Sequence, residues 1–276
     1  MRFRVEHVSH YSYDVPVTLG PHLIRLLPQL PPDQLKSRTL HISPRPVHEE
    51  VTLDGNGNTV LRVAFVGATQ EFSCESRFEA NTMAPNPAVD RGFPDLPWAA
   101  DPNLPHAFYA VQTTPEVWSF AEQHSAAAGR RPLEFLTRLN QHLYATIDRH
   151  IRPTGDAQSP QDTLSTMRGA CRDITELFLA LCRAQGIAAR FVSGYQFAAD
   201  TPDGQRHLHA WPEVYLPGHG WQGYDPTHGT AVGDGHVALC RAPGQLATMP
   251  VEGGFSFTGT VVNSTLRYSV RVETFS

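Results

Sequence analysis

Of the four cysteines in this 276-residue chain, at positions 74, 171, 182 and 240, one has a setting suited to chemistry. In Arg168-Gly-Ala-Cys171-Arg-Asp173 the glycine breaks a short helical piece, so the next helix starts at or beside the thiol. The unpaired N–H groups and the dipole of a helix N-terminus favour thiolate over thiol. A thiolate nucleophile needs a base that takes its proton, and the base needs a third group that fixes its tautomer. Both stand downstream. His209 shares a strand face with Trp211 in His207-Leu-His209-Ala-Trp211-Pro-Glu-Val-Tyr, and Asp225 ends the following strand, Gly220-Trp-Gln-Gly-Tyr-Asp225, before a proline turn. A hairpin sets those strands side by side, so Cys171, His209 and Asp225 can meet. The combination suits attack on a carbonyl carbon, with the Cys171 N–H as a donor to the oxyanion.

The other reactive residue types have plainer roles. Cys182 lies on the apolar stripe of the same helix, with Ile174, Leu177, Phe178 and Leu181, while Cys74 and Cys240 fall within strand patterns, so all three read as packing residues. His207 and His209 share a strand face, but no third and fourth ligands follow at metal-site spacing; no metal and no cofactor is expected. His207 reads as a surface or supporting residue. Asp173, in the first helical turn, suits capping of the free N–H groups. Tyr195 and Trp211 are the aromatic residues expected to bind substrate along the cleft.

The elements that must position these groups follow from periodicity. From residue 2 to about 82, apolar residues alternate (Phe3/Val5, Tyr11/Tyr13, Leu61/Val63/Phe65, Phe72/Cys74), with Asp54-Gly-Asn-Gly-Asn58 as a hairpin loop. Residues 1–84 are therefore expected to form a small all-β sandwich or barrel domain. Frequent prolines between Met83 and Pro105 exclude helix and central strand, which makes 85–110 an ordered connector held down by Phe93, Leu96 and Trp98. Residues 111–276 are expected to form the chemical domain. Helices over Pro115–Gly129, around Leu136, Leu139, Leu143 and Ile147, and over Pro160–Met167 lead to the Cys171 helix, which Gly186 stops. Strands follow at Ala188–Ala198, His207–Leu216 and Trp221–Asp225, with a final alternation through Leu266, Tyr268, Val270 and Val272. The fold class is α+β, helices followed by an antiparallel sheet.

A net charge of −5 without any Lys/Arg run argues against nucleic acid or an anionic membrane as partner. No stretch approaches a membrane-spanning length, and Met1–His7 alternates like a strand rather than a leader, so a cytoplasmic location is expected. With no Cys-x-x-Cys spacing, free thiols are expected.

Four motifs in order carry a family resemblance: Gly169-x-Cys171-x-Asp173, Gly186-Ile-x-Ala-Arg-x-Val-Ser-Gly194-Tyr195, His209-Ala-Trp211-x-Glu-Val-Tyr215 and Gly220-Trp-x-x-x-Asp225-Pro-Thr. They resemble the transglutaminase-like superfamily of papain-type cysteine enzymes. His7-x-x-x-Tyr11-x-Tyr13-x-x-Pro16-Val17 and Leu26-Leu-Pro28 are similar to the β-domain that precedes the core in bacterial members. The resemblance implies a papain-like, transglutaminase-type core with Cys171 as nucleophile, His209 as base and Asp225 as orienting carboxylate. It also implies acyl transfer through a thioester on a peptide, protein or amide-containing small molecule. Hydrolysis is the expected outcome; transfer to an amine and an inactive peptide-binding module are the alternatives. Three positions depart from the family pattern: Ile174 after Cys-x-Asp, His228 where Asn commonly follows Asp-Pro-Thr, and Asp148-Arg-His150 in place of an upstream Phe-x-Tyr. Tyr144 is the remaining upstream candidate for the oxyanion site.

Overall fold

The N-terminal alternation produces one long strand, β1 (Arg2–Ile24), in a computed structural model that describes residues 1–90, 92–111, 113–152, 155–198 and 206–275. Phe3, Val5 and His7 point inward along it, while Arg2 and Arg4 on the outer face pair with Glu79. β2 (Leu35–Ser43), β3 (His48–Leu53), β4 (Thr59–Ala64) and β5 (Ala68–Asn81) complete the antiparallel order β2-β5-β1-β4-β3. The expected hairpin loop is present: the Asp54 carboxylate accepts from the N–H groups of Asn56 and Asn58 at 2.8 and 2.9 Å.

Helices α1 (Pro115–Ala127) and α2 (Pro132–Thr146) come next, then the two-residue strand β6 (Asp148–Arg149), α3 (Pro160–Thr166), β7 (Arg168–Gly169) and α4 (Cys171–Ala184). Strands β8 (Ala189–Gln196), β9 (His209–Leu216), β10 (Gly220–Asp225), β11 (Thr230–Ala231) and β12 (His236–Ala242) form a five-stranded antiparallel sheet ordered β11-β10-β9-β8-β12. Leu139, Leu143, Leu177, Phe178 and Leu181 of the helices pack with Phe191 and Val214 of that sheet. The helices-then-strands expectation therefore holds, as does the all-β character of the first 81 residues.

The C-terminal tail is the correction. β13 (Val251–Phe257) and β14 (Ser264–Phe275) do not extend the five-stranded sheet; both pair with β1, Val5 facing Val272 and Val17 facing Phe257. The expected unit 111–276 thus gives up its last strands to the N-terminal sheet, which curls into a seven-stranded half-barrel. The physical reason is that β1 is 23 residues long and, beyond β4 and β5, offers ladder positions that only another strand can satisfy. Tyr195, Val237 and Leu239 of the five-stranded sheet join Phe3, Val5 and Phe78 in one core. The two sheets are fused rather than tethered.

The proline-rich connector lies against the protein as expected, with Leu96 buried, its N–H donating to Arg130 O at 2.9 Å, and Trp98 N–H donating to Gln185 O at 3.0 Å. Gly186 serves both as helix stop and as the floor for this strap. Its φ is +73°, and a Cβ there would stand 1.9 Å from Trp98 O. Gly186→Ala is expected to destabilise the fold by about 1–3 kcal/mol through left-handed strain and displacement of the strap. A urea-unfolding midpoint equal to that of the parent protein would contradict it.

Candidate active site

Cys171 is the first residue of α4, so its N–H is among those a helix leaves without an intrahelical partner. Asp173 fixes that tip from below: fully buried, its carboxylate accepts from Ala170 N–H at 2.7 Å and Gln158 N–H at 2.8 Å and pairs with Arg152. The capping role expected for Asp173 is what these contacts describe. Gly169 is needed because a Cβ would stand 2.9 Å from Asp173 Cβ.

Burial pushes the Cys171 thiol up, but the hydrogen bond and charge of His209, the Ala210 N–H and the Arg172 charge outweigh it, and the net shift is downward. The other thiols are fully buried and move the opposite way: burial takes Cys74 and Cys240 up to about 12 and Cys182 well above the ordinary thiol value. Of the four thiols, Cys171 is the one shifted toward its thiolate.

His209 opens β9 opposite Gly194 of β8. A Cβ on Gly194 would lie 2.7 Å from Trp211 Cη2, so this glycine admits the indole that packs beside His209. His209 Nε2 lies 2.9 Å from Asp225 Oδ2, which leaves Nδ1 for the thiol. Burial alone lowers the imidazole, yet the charge and hydrogen bond of Asp225, followed by those of Cys171, raise it to about 10. Asp225 ends β10, and its Oδ1 accepts from Thr227 and His228 N–H at 3.1 and 3.2 Å, an Asx-type turn that the following proline allows. Burial pushes this carboxyl up, but His209, His228 and His236 together hold it well below the usual range.

Two of those partners were not singled out for a role from sequence. His228 Nδ1 and His236 Nε2 lie 2.9 and 3.0 Å from the same Oδ2 that His209 uses. Burial holds His236 below the ordinary histidine value; its Nε2 faces Asp225, and its Nδ1 lies 3.5 Å from Gly233 N. His228 carried a signal as the residue in place of Asn. His236 carried none, standing alone in Gly-Asp-Gly-His.

A cavity of about 730 Å³ opens over Cys171 and His209. The half-barrel supplies one wall through His7, Ser9, Tyr11, Leu266 and Tyr268, and Arg149, Arg152, Arg172 and Arg206 line it from the helical side and the β9 approach. The β-domain is thus part of the cleft.

Residues 120–226 match the transglutaminase-like superfamily, and residues 3–81 match the bacterial transglutaminase-like N-terminal region. The chain belongs to the transglutaminase-like superfamily. It is similar to an uncharacterised protein of Mycobacterium tuberculosis, 28% identical over 298 residues that cover 99% of this chain and 93% of the relative. A protein-glutamine gamma-glutamyltransferase of Pseudomonas aeruginosa is 36% identical over 86 residues, 29% of this chain and 13% of that protein. A solved structure from Cytophaga hutchinsonii, provisionally described as a cysteine protease, superposes on 100% of this chain and 92% of that one with a TM-score of 0.69 at 18% identity, which shows a shared fold. Membership of the superfamily supports cysteine-dependent acyl transfer as the general chemistry.

In this transglutaminase-like core the two expected substrate-binding aromatics sit elsewhere. Tyr195 is 0% and Trp211 1% exposed, and neither lines the cavity. The Tyr195 hydroxyl faces the half-barrel, 2.9 Å from His7 Nδ1, and ties the two sheets together; Trp211 packs edge-on against His236 and supports the histidines from behind. Strand alternation fixes a side of the sheet but not what covers it, and here the second sheet covers it. Tyr144 lies outside the cavity lining, under the Arg149 guanidinium at 4.8 Å. His150 lines the cavity instead, just beyond β6, with its N–H donating to Gly169 O at 3.2 Å. His207 is 3.0 Å from the Tyr268 hydroxyl, and the donor atoms that cluster within 4.8 Å are those of His209, Asp225 and His228. That trio could hold a cation, although its atoms are already engaged with one another. Among the described residues no helix is long and apolar enough to cross a membrane.

Proposed function

We propose that this chain is a cysteine hydrolase that cleaves an amide or peptide bond through a thioester on Cys171. The observation that carries the reading is the hydrogen-bonded run Cys171–His209–Asp225 at the wall of an open cavity, with the thiol lowered and the imidazole raised to about 10. The thiolate attacks the carbonyl carbon, and the oxyanion meets the Cys171 N–H at the helix tip. Imidazolium His209 gives its proton to the leaving amine as the C–N bond breaks, which leaves a thioester. Neutral His209 then takes a proton from water, the water oxygen attacks the thioester, the C–S bond breaks, and the acid departs from a restored thiolate–imidazolium pair. Asp225 orients the ring and stabilises its charge.

Transfer to an amine is the second reading, supported by the activity named for the Pseudomonas relative. Water is favoured because an amine acceptor arrives mainly as ammonium, and the guanidiniums of Arg149 and Arg206, which line the cavity, oppose its approach. The test acylates Cys171 with an activated ester in the presence of glycine ethyl ester or putrescine. Free acid is the expected product; an amide adduct forming much faster than free acid would replace hydrolysis by transfer.

A further inference from the structure

Asp225 orients a second imidazole besides that of His209. His228 Nδ1 lies 2.9 Å from Asp225 Oδ2, its ring centroid is 5.1 Å from that of His209, and it lines the cavity together with Cys171 and His209. An ionised carboxylate only accepts, so a neutral His228 carries its proton on Nδ1 and its lone pair on Nε2, the nitrogen left for the cavity. His209 stands in the same relation to the carboxylate: its Nε2 faces Asp225, and once the leaving amine has taken a proton its lone pair is on Nδ1. At the acyl-enzyme stage one carboxylate oxygen thus fixes two rings whose outer nitrogens both accept. The segment that carries His228 is anchored along its length. The His228 N–H donates to Asp225 Oδ1 and O, each at 3.2 Å, and Gly229 N–H donates to Asp225 O at 2.7 Å. The Asn140 amide donates to Thr230 O at 3.1 Å, Gln141 to the Gly229 carbonyl and Arg149 to the Thr227 carbonyl. Gly229 has a φ of +69°, and a Cβ there would stand 2.7 Å from Tyr144 ring atoms, so Tyr144 packs under this turn. A ring held in this way has its orientation fixed on folding rather than at the reaction.

We propose that His228 is a further catalytic residue, whose Nε2 accepts a hydrogen bond from the water that resolves the acyl-enzyme and holds that water for His209. The proposal rests on the hydrolytic reading of Cys171 and deepens it by giving the water a second anchor. The water donates one O–H to His209 Nδ1 and the other to His228 Nε2. Its oxygen attacks the thioester carbon as the first proton passes to His209; the C–S bond then breaks and the sulfur leaves as thiolate. The second hydrogen stays on the departing acid. Acylation consumes no water, so His228 serves that step only through its bond to Asp225.

4-Nitrophenyl acetate separates the two steps in the full chain. The kcat/KM for release of 4-nitrophenolate reports acylation alone, and the decay of the acetyl-Cys171 mass in rapid-quench samples reports deacylation. His228→Asn keeps an N–H donor beside Asp225 and removes the outer nitrogen. It is expected to leave kcat/KM within about twofold of the parent value and to slow deacylation by about ten- to a hundredfold, the order that misplacement of a reacting group costs, so that acetyl-enzyme accumulates. Iodoacetamide labelling of Cys171 at about pH 6 should match that of the parent protein, as expected where the thiolate–imidazolium pair is intact. His228→Ala should slow deacylation more than acylation as well, and it takes the place of His228→Asn should that variant fail to fold. Deacylation unchanged by these substitutions overturns the proposal. A loss that falls equally on acylation and deacylation also overturns it, since His228 would then only support Asp225. Neither result touches the hydrolase reading. That reading falls, and the proposal with it, if the parent protein forms no acetyl-Cys171 and releases 4-nitrophenolate no faster than Cys171→Ala.

Discussion

At about pH 6, well below an ordinary thiol pKa, iodoacetamide is expected to label Cys171 and spare Cys74, Cys182 and Cys240, and Cys171→Ala is expected to abolish acyl transfer. The selectivity follows from opposed shifts within one chain. Burial raises all four thiols, yet only Cys171 has a hydrogen-bonded cation that reverses it, and only Cys171 is partly exposed. The sign of the pH dependence follows. Because the Cys171 pKa is lowered, the thiolate persists as pH falls below the usual thiol range and is lost only on further acidification. Because the His209 pKa is raised to about 10, the imidazolium that protonates the leaving group is lost only as pH rises through that value. Activity should therefore describe a broad bell, its acid limb set by the thiolate and its alkaline limb by His209. Mass-spectrometric labelling across pH checks it. A rate that climbs only as pH approaches the usual thiol range would mean an ordinary cysteine, and the hydrolase reading would fall with it.

How much of this site could be read from the chain depends on whether a residue's role is local. Cys171 was legible because a glycine, a helix start and an acidic N3 residue are all within a few positions of it, and His209 and Asp225 because adjacent antiparallel strands bring their ends together. The relation between His209 and Asp225 is diagonal: Trp221 pairs with Tyr215 and Gly223 with Glu213, and continuing that register puts Asp225 opposite Trp211, two residues from His209. What could not be read was set by contacts between distant segments. Tyr195 alternates like a cleft residue, but the tertiary cover is His7, 188 positions away. The tail alternates like a strand, but its partner is β1 at the other end of the chain. His236 meets a carboxylate 11 positions upstream, and the arginines that line the cavity come from three separate stretches of sequence. Periodicity assigns an element and a face; it carries no information on which remote surface that face will meet.

Asp225→Asn is expected to reduce turnover by about 10³–10⁴, the order seen when the orienting carboxylate of a nucleophile–histidine pair becomes an amide. Asp225 Oδ2 is shared by His209, His228 and His236 at 2.9, 2.9 and 3.0 Å, so the carboxylate is both the charge that keeps His209 protonated and the point on which three rings are registered. A neutral amide keeps the size and loses the charge. Burial, which on its own lowers His209, is then unopposed by its main counterweight, the imidazole becomes neutral, and Cys171 loses the cation that offsets its own burial. The alkaline limb near 10 should move toward neutrality, and fast labelling at about pH 6 should disappear together with activity. His236→Gln, by contrast, removes one donor and leaves the charge, and a loss of about tenfold is expected, as for other groups that orient a functional ligand from behind. The comparison separates charge from registration. If Asp225→Asn cost no more than His236→Gln and left the alkaline limb in place, hydrogen-bond geometry rather than the buried negative charge would be what holds His209 ready, and the ion-pair account of Cys171 would have to be given up.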